Sequence, residues 1–136
     1  ARVISIEGLE IEPAIRLFLT GSGFRMPGES QKIERFMEIF ATIYWQDNHG
    51  AENFPFKQRD TIVIVSFSII MLNKDLHKAN VDKKNAHRKI TKDEFIKNLR
   101  GTDGGNDINK DYLGRIFDLI QATPIALELE LGLEFE

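Results

Sequence analysis

Gly23-Phe24-Arg25-Met26-Pro27-Gly28-Glu29-Ser30 has the glycine spacing of a phosphate-binding loop, but a glutamate stands where such a loop places its lysine. A phosphate loop holds its ligand with backbone N–H groups and a cation at a helix N-terminus, because anions are favoured there. Glu29 brings the opposite charge. Pro27 suits the first helical position, so Glu29 falls in the first turn, where the helix dipole favours a charged carboxylate. The segment is therefore a poor cradle for phosphate. It is suited to repelling a phosphate, or competing for a metal, that belongs to another molecule; the plainer reading of the octapeptide is an ordinary acidic first turn.

Other candidates for chemistry are weaker. Asp103-Gly104-Gly105-Asn106-Asp107-Ile108 has the look of a calcium loop, but Gly105 falls at a ligand position, Ile108 at the turn glycine and Gly114 at the bidentate glutamate. A plain turn followed by a helix cap fits better. His49, His77 and His87 lack a second ligand at helical spacing, the chain has no cysteine, and no serine–histidine–aspartate set or carboxylate pair stands out. Phe67, Ile70 and Met71 share helical spacing and read by default as core, with a groove that adapts to a partner as the other reading.

Helices must position these groups. Pro13, with Ile15, Phe18 and Leu19, predicts a helix over about 12–20. A second runs from Pro27 to about Trp45 on the stripe Ile33, Phe36, Met37, Phe40, Ile43 and Tyr44, followed by a polar connection over 47–53 and Pro55. Residues 59–76 include Ile62-Val63-Ile64-Val65, which favours a strand, but the uninterrupted length decides for a helix, apolar all round and central. Residues 76–89 read as a basic loop. Thr91-Lys92-Asp93-Glu94 is a capping box for a short helix burying Phe95, Ile96 and Leu99 and ending near Gly101. Asn109 caps a last helix carrying Leu113, Ile116, Phe117 and Ile120, stopped by Thr123-Pro124. The fold class is all-α. Residues 126–136 alternate apolar and acidic side chains, a strand pattern expected as a docked or frayed terminus.

At 136 residues, with 42% hydrophobic and 29% charged residues, the chain makes one globular domain. A net charge of −3 argues against nucleic-acid binding. The charge is uneven: residues 74–100 carry nine Lys and Arg against four Asp and Glu. That stretch could face anionic lipid or an acidic partner, or be a solvated face. The chain opens on Ala1 without a signal peptide, and its longest apolar run is too short to span a bilayer.

Two stretches together point further. Residues 24–33, Phe-Arg-Met-Pro-Gly-Glu-Ser-Gln-Lys-Ile, closely resemble the first signature of the Sec-seven domain, the catalytic module of Arf-family guanine-nucleotide exchange factors; residues 67–77, Phe-Ser-Ile-Ile-Met-Leu-Asn-Lys-Asp-Leu-His, resemble its second. The likeness continues through Phe95-Ile96-Lys97-Asn98-Leu99-Arg100-Gly101 and into Asp107-Ile108, covering residues 1–125 in order and leaving 126–136 as a tail.

The resemblance implies an elongated all-α superhelix whose groove receives the switch regions of an Arf-type small GTPase. Glu29 matches the family's glutamic finger, which approaches the GTPase's magnesium and β-phosphate and lowers the barrier to GDP release without covalent chemistry. Two unit charges about 4 Å apart interact by about 4 kcal/mol at an intermediate dielectric, enough to change a release rate by orders of magnitude. By position, Phe67, Ile70 and Met71 would face or support the apolar side of the groove, and Asn73, Asp75 and Asn80 its polar end. The chain departs from the pattern at Lys78, which stands where the family has a functionally important asparagine; a lysine cannot accept a hydrogen bond. Phe67-Ser68 is a mixed version of the pair that distinguishes brefeldin-sensitive members. The family's complete domain has further helices ahead of the first signature, so the resemblance leads us to expect this chain to be the C-terminal, site-bearing part, with uncovered apolar faces that favour self-association. No cofactor is implied. A cytoplasmic protein, peripheral at Golgi or endosomal membranes, is, with Lys83, Lys84, Arg88 and Lys89 towards anionic lipid. The rival readings are a docking module without exchange activity and a calcium-binding helix pair.

Overall fold

The computed structural model describes residues 5–21, 30–77 and 88–125, and for Thr20, Gly21 and residues 30–32 the backbone only. The described residues form five helices and no named strand: α1 Ile11–Gly21, α2 Ser30–Asn48, α3 Arg59–His77, α4 Lys92–Asn98 and α5 Lys110–Ala122. The all-α expectation holds. The expected start of the second helix at Pro27, most of the 76–89 loop with His87, and the 126–136 tail lie outside the described residues.

Each helix buries one periodic stripe. In α1, Ile11, Ala14, Ile15 and Phe18 face inward, and Pro13 sits in the first turn, where its missing N–H costs no hydrogen bond. Phe18 packs against Phe36 and Phe40 of α2, with ring centroids 5.4 and 5.5 Å apart, and Phe40 stacks on Tyr44. Together these rings form the aromatic centre of the core. Helix α3 is central: it packs on α1, α2 and α5, while α4 and α5 pair with each other. It is not buried all round, however. Ile62, Val65, Ile69 and Leu72 are inside, but Ile64 and Met71 are exposed and Phe67 and Ser68 half-buried. One face of this apolar helix is left without a covering element among the described residues.

Caps fall where the sequence puts them. Thr91 Oγ1 accepts the Glu94 N–H, and the Glu94 carboxylate accepts the Thr91 N–H. The Asn109 side chain accepts the Tyr112 N–H, and α5 stops at Thr123. Gly101 follows α4 at φ +70°, a conformation that glycine adopts without strain.

Helix α2 runs past Trp45 to Asn48, and there the polar connection proves structural. Buried Asn48 accepts the Gly8 N–H at 2.6 Å and donates to the carbonyls of Ile6 and Tyr44, fixing the chain ahead of α1. Tyr44 donates to the Leu9 carbonyl, and the Tyr112 hydroxyl accepts the Ile11 N–H at 2.8 Å. Burial pushes the Tyr44 phenol far above its ordinary range and that of Tyr112 up to about 12.

The 103–108 loop is a latch. Buried Asp103 accepts the Lys57 N–H on both carboxylate oxygens, at 2.8 and 3.0 Å, and the Thr61 hydroxyl at 2.8 Å. Donors therefore occupy the carboxylate that a calcium ion would need, and no group of three or more possible metal ligands occurs among the described residues. Gly104, at φ +60°, lies against Gln58, where a Cβ would come within 2.9 Å of the side chain.

Candidate functional site

The exposed face of α3 carries Phe67, Met71 and Asp75, spaced four residues apart and so stacked on one side of the helix. Met71 is 53% exposed. Phe67 is half-buried and packs against the core. Ser68 donates to the Ile64 carbonyl of its own helix. Between this face and α4 lies an open cavity of about 260 Å³, with Met71, Leu72, Asp75, Ile90, Phe95 and Leu99 in its lining. Phe95 and Leu99, which the sequence assigns to the buried face of α4, form part of its apolar wall.

Asp75 closes the polar end. Its Oδ2 accepts the Ile90 N–H at 2.8 Å, and its backbone carbonyl accepts from Lys89 at 3.4 Å. The carboxylate thus fixes the chain entering α4. Arg88 donates to both Glu94 oxygens. This fork, with the Thr91 N–H, holds the Glu94 carboxyl down at about 2, and the same contact raises Arg88. Arg88 and Lys89 are therefore engaged within the fold rather than standing clear of it.

Ile70 and Asn73 turn the other way. Ile70 is buried in the core, and Asn73, 7% exposed, meets Ile125 on both its amide groups. The structure thus groups Phe67, Met71 and Asp75 on one side of α3, with Ile70 supporting from behind and Asn73 facing the end of α5. Glu29, Lys78, Asn80, Lys83 and Lys84 lie outside the described residues. Of the other histidines, His49 stacks on Trp45, and His77 donates from Nε2 to the Ile120 carbonyl at 2.6 Å. No sequence signal announces the Asn73 and His77 contacts, because each partner is a backbone group more than forty residues away.

The Sec7 domain family model matches residues 1–125. Among curated relatives, the chain is 42% identical over 125 residues to the ARF guanine-nucleotide exchange factor GNL2 of Arabidopsis thaliana, covering 92% of this chain and 8% of that protein. Among solved structures it is similar to the Sec7p catalytic domain, with TM-score 0.74, 36% identity and coverage of 90% of this chain and 59% of that one. It is equally similar to a Sec7 domain solved with ARF1-GDP bound and complexed with brefeldin A, with TM-score 0.74, 36% identity and coverage of 90% and 57%. The chain thus spans less than a tenth of the length of this curated relative.

Proposed function

The chain belongs to the Sec7 domain family, and from that membership we propose that it promotes GDP release from an Arf-type small GTPase. The observation that carries this reading is the face of α3: an exposed methionine and an aspartate lining a cavity, with a half-buried phenylalanine one turn before them, on the helix that bears the second signature. Apolar side chains left uncovered on an otherwise packed helix suit a partner that supplies apolar side chains of its own. Met71 can adapt its three rotatable bonds to them. Relatives described as ARF exchange factors, and a similar Sec7 domain with ARF1-GDP bound, support the choice of partner.

In this reading Glu29 is the displacing carboxylate. Brought beside the GTPase's magnesium and β-phosphate, it repels the phosphate and competes for the metal and for the lysine that holds the phosphate. No bond is made or broken within the protein. The chain works by stabilising the nucleotide-free partner, and any resident cofactor is superfluous to that.

Release of a fluorescent GDP analogue from an Arf-type GTPase tests this, with wild type beside Glu29→Lys and circular dichroism as the folding control. Acceleration lost in a folded Glu29→Lys variant supports exchange and the finger together. A folded wild type that binds the GTPase without accelerating release is a docking module instead, the outcome that Lys78 at the family's asparagine position would favour.

Peripheral membrane contact, at Golgi or endosomal membranes of the cytoplasm, follows the family reading and the basic stretch with Lys83 and Lys84. No helix among the described residues is long and apolar enough to cross a membrane. Sedimentation with liposomes that shows no dependence on anionic lipid removes the electrostatic part of that reading. Self-association through exposed Ile39, Ile64 or Leu119 is removed by a monomer at all concentrations in sedimentation velocity.

A further inference from the structure

Residues 119–125, the last turn of α5 and the three residues after it, receive side chains from α3, which bears the second signature, and from α1, the helix that precedes the first. From α1, the Arg16 guanidinium donates to the carbonyls of Thr123 at 2.6 Å and Pro124 at 3.1 Å, and is itself paired with Glu12. From α3, Asn73 Oδ1 accepts the Ile125 N–H at 2.8 Å, Asn73 Nδ2 donates to the Ile125 carbonyl at 3.3 Å, and His77 donates to the Ile120 carbonyl. The last carbonyls of a helix have no partner within it and must find one elsewhere. Here His77 of α3 meets Ile120, and Arg16 of α1 reaches Leu119 at 3.5 Å besides the two carbonyls beyond the helix.

Helix α1 precedes the segment with Glu29 and packs on α2, which begins directly after it at Ser30, while α3 carries Phe67, Met71 and Asp75. An exchange site that uses both needs them at a fixed spacing. Asn73 lies two residues from Met71, hence on the opposite side of α3, and is buried. It sits where it can hold the docking face from behind.

We propose that Asn73 is a positioning residue that acts through Ile125, and that residues 119–125 are the common anchorage setting α3 against α1. This rests on the exchange reading above. It takes Asn73 out of the polar end of the groove and gives it a partner within its own chain. It also makes the residues just after α5 part of the exchange apparatus, although they carry none of its chemistry. A misplacement of about 1 Å far from a reacting centre can cost about a hundredfold in rate.

A double-mutant cycle tests it. GDP release is followed over a range of concentrations of this chain for wild type, Asn73→Ala, Ile125→Pro and the pair. Ile125→Pro removes the N–H that Asn73 accepts. Each single variant is expected to lower the maximal release rate by about two- to thirtyfold, with a smaller change in the half-maximal concentration. The pair is expected to fall within about twofold of the worse single variant, because both changes break one contact. Losses that multiply would overturn the proposal, because Asn73 would then not act through Ile125, and so would losses that lie wholly in the half-maximal concentration, because Asn73 would then act on binding of the GTPase. Urea unfolding corrects each rate for the folded fraction. Should Asn73→Ala fail to fold, Asn73→Asp takes its place, keeping the acceptor for Ile125 N–H and losing the donor. A folded wild type that releases no GDP overturns the exchange reading as a whole, whereas an active wild type with a multiplicative cycle overturns the positioning role alone.

Discussion

Met71 and Asn73 are two residues apart on α3 and look in opposite directions, one into solvent and one at the backbone of Ile125. Met71→Ala is expected to leave stability within about 0.5 kcal/mol of wild type, as exposed substitutions do, while weakening binding of an Arf-type GTPase; unchanged binding by calorimetry would remove Met71 from the docking face. The resemblance set Met71 on the apolar side of a groove and Asn73 at its polar end, whereas Asn73 is turned to Ile125. Helical spacing tells which residues share a face, and only the position of residue 125 tells which face is covered. Glu94 allows a pH test. Its carboxyl is held at about 2 by Arg88 and the Thr91 N–H, so the folded value lies below the ordinary one. The contribution is therefore complete above the ordinary carboxylate range and is lost as pH falls towards about 2. Carbon NMR of Glu94 should show that low midpoint, and Arg88→Ala should raise it.

At the scale of elements, the legible helices were those with chemical punctuation. Thr91 with Glu94, and Asn109, mark their N-termini because a side-chain acceptor must meet the first free N–H groups, and that requirement is local. The end of α2 was misjudged for the opposite reason. Asp47-Asn48-His49-Gly50 reads as a turn by composition, but Asn48 is drawn inside by Gly8 and Ile6, forty residues earlier. Its removal should therefore behave as a core lesion rather than a loop change. Asn48→Ala leaves the Gly8 N–H and Ile6 carbonyl without this partner, and chemical denaturation should show a loss of about 1–3 kcal/mol. A similar loss is expected for Asp103→Ala, which strips the acceptor from Lys57 and Thr61 at the start of α3. The central role of α3 was legible from its length and apolarity; its bare side was legible only through the resemblance, because by periodicity alone an apolar residue looks alike in sequence whether a neighbour covers it or not.

At the scale of the whole molecule, the longest ties among the described residues join α1 and the residue before it to α5 and the residues after it. Glu10 pairs with Arg115, the Ile11 N–H donates to Tyr112, and Arg16 reaches Thr123 and Pro124, each across more than one hundred residues. Such contacts close large loops, so their entropy must be met before they return any stability, and they form late. During synthesis α1 emerges before α5 yet waits for the end of α5 and the residues after it before Arg16 finds its carbonyls. Nascent chains of increasing length should gain protease resistance abruptly once residue 125 is clear of the ribosome, rather than in proportion to the number of helices made. The last turn of α5 is thus also a clock: until it arrives, the ribosome holds a chain whose two halves are not yet in register.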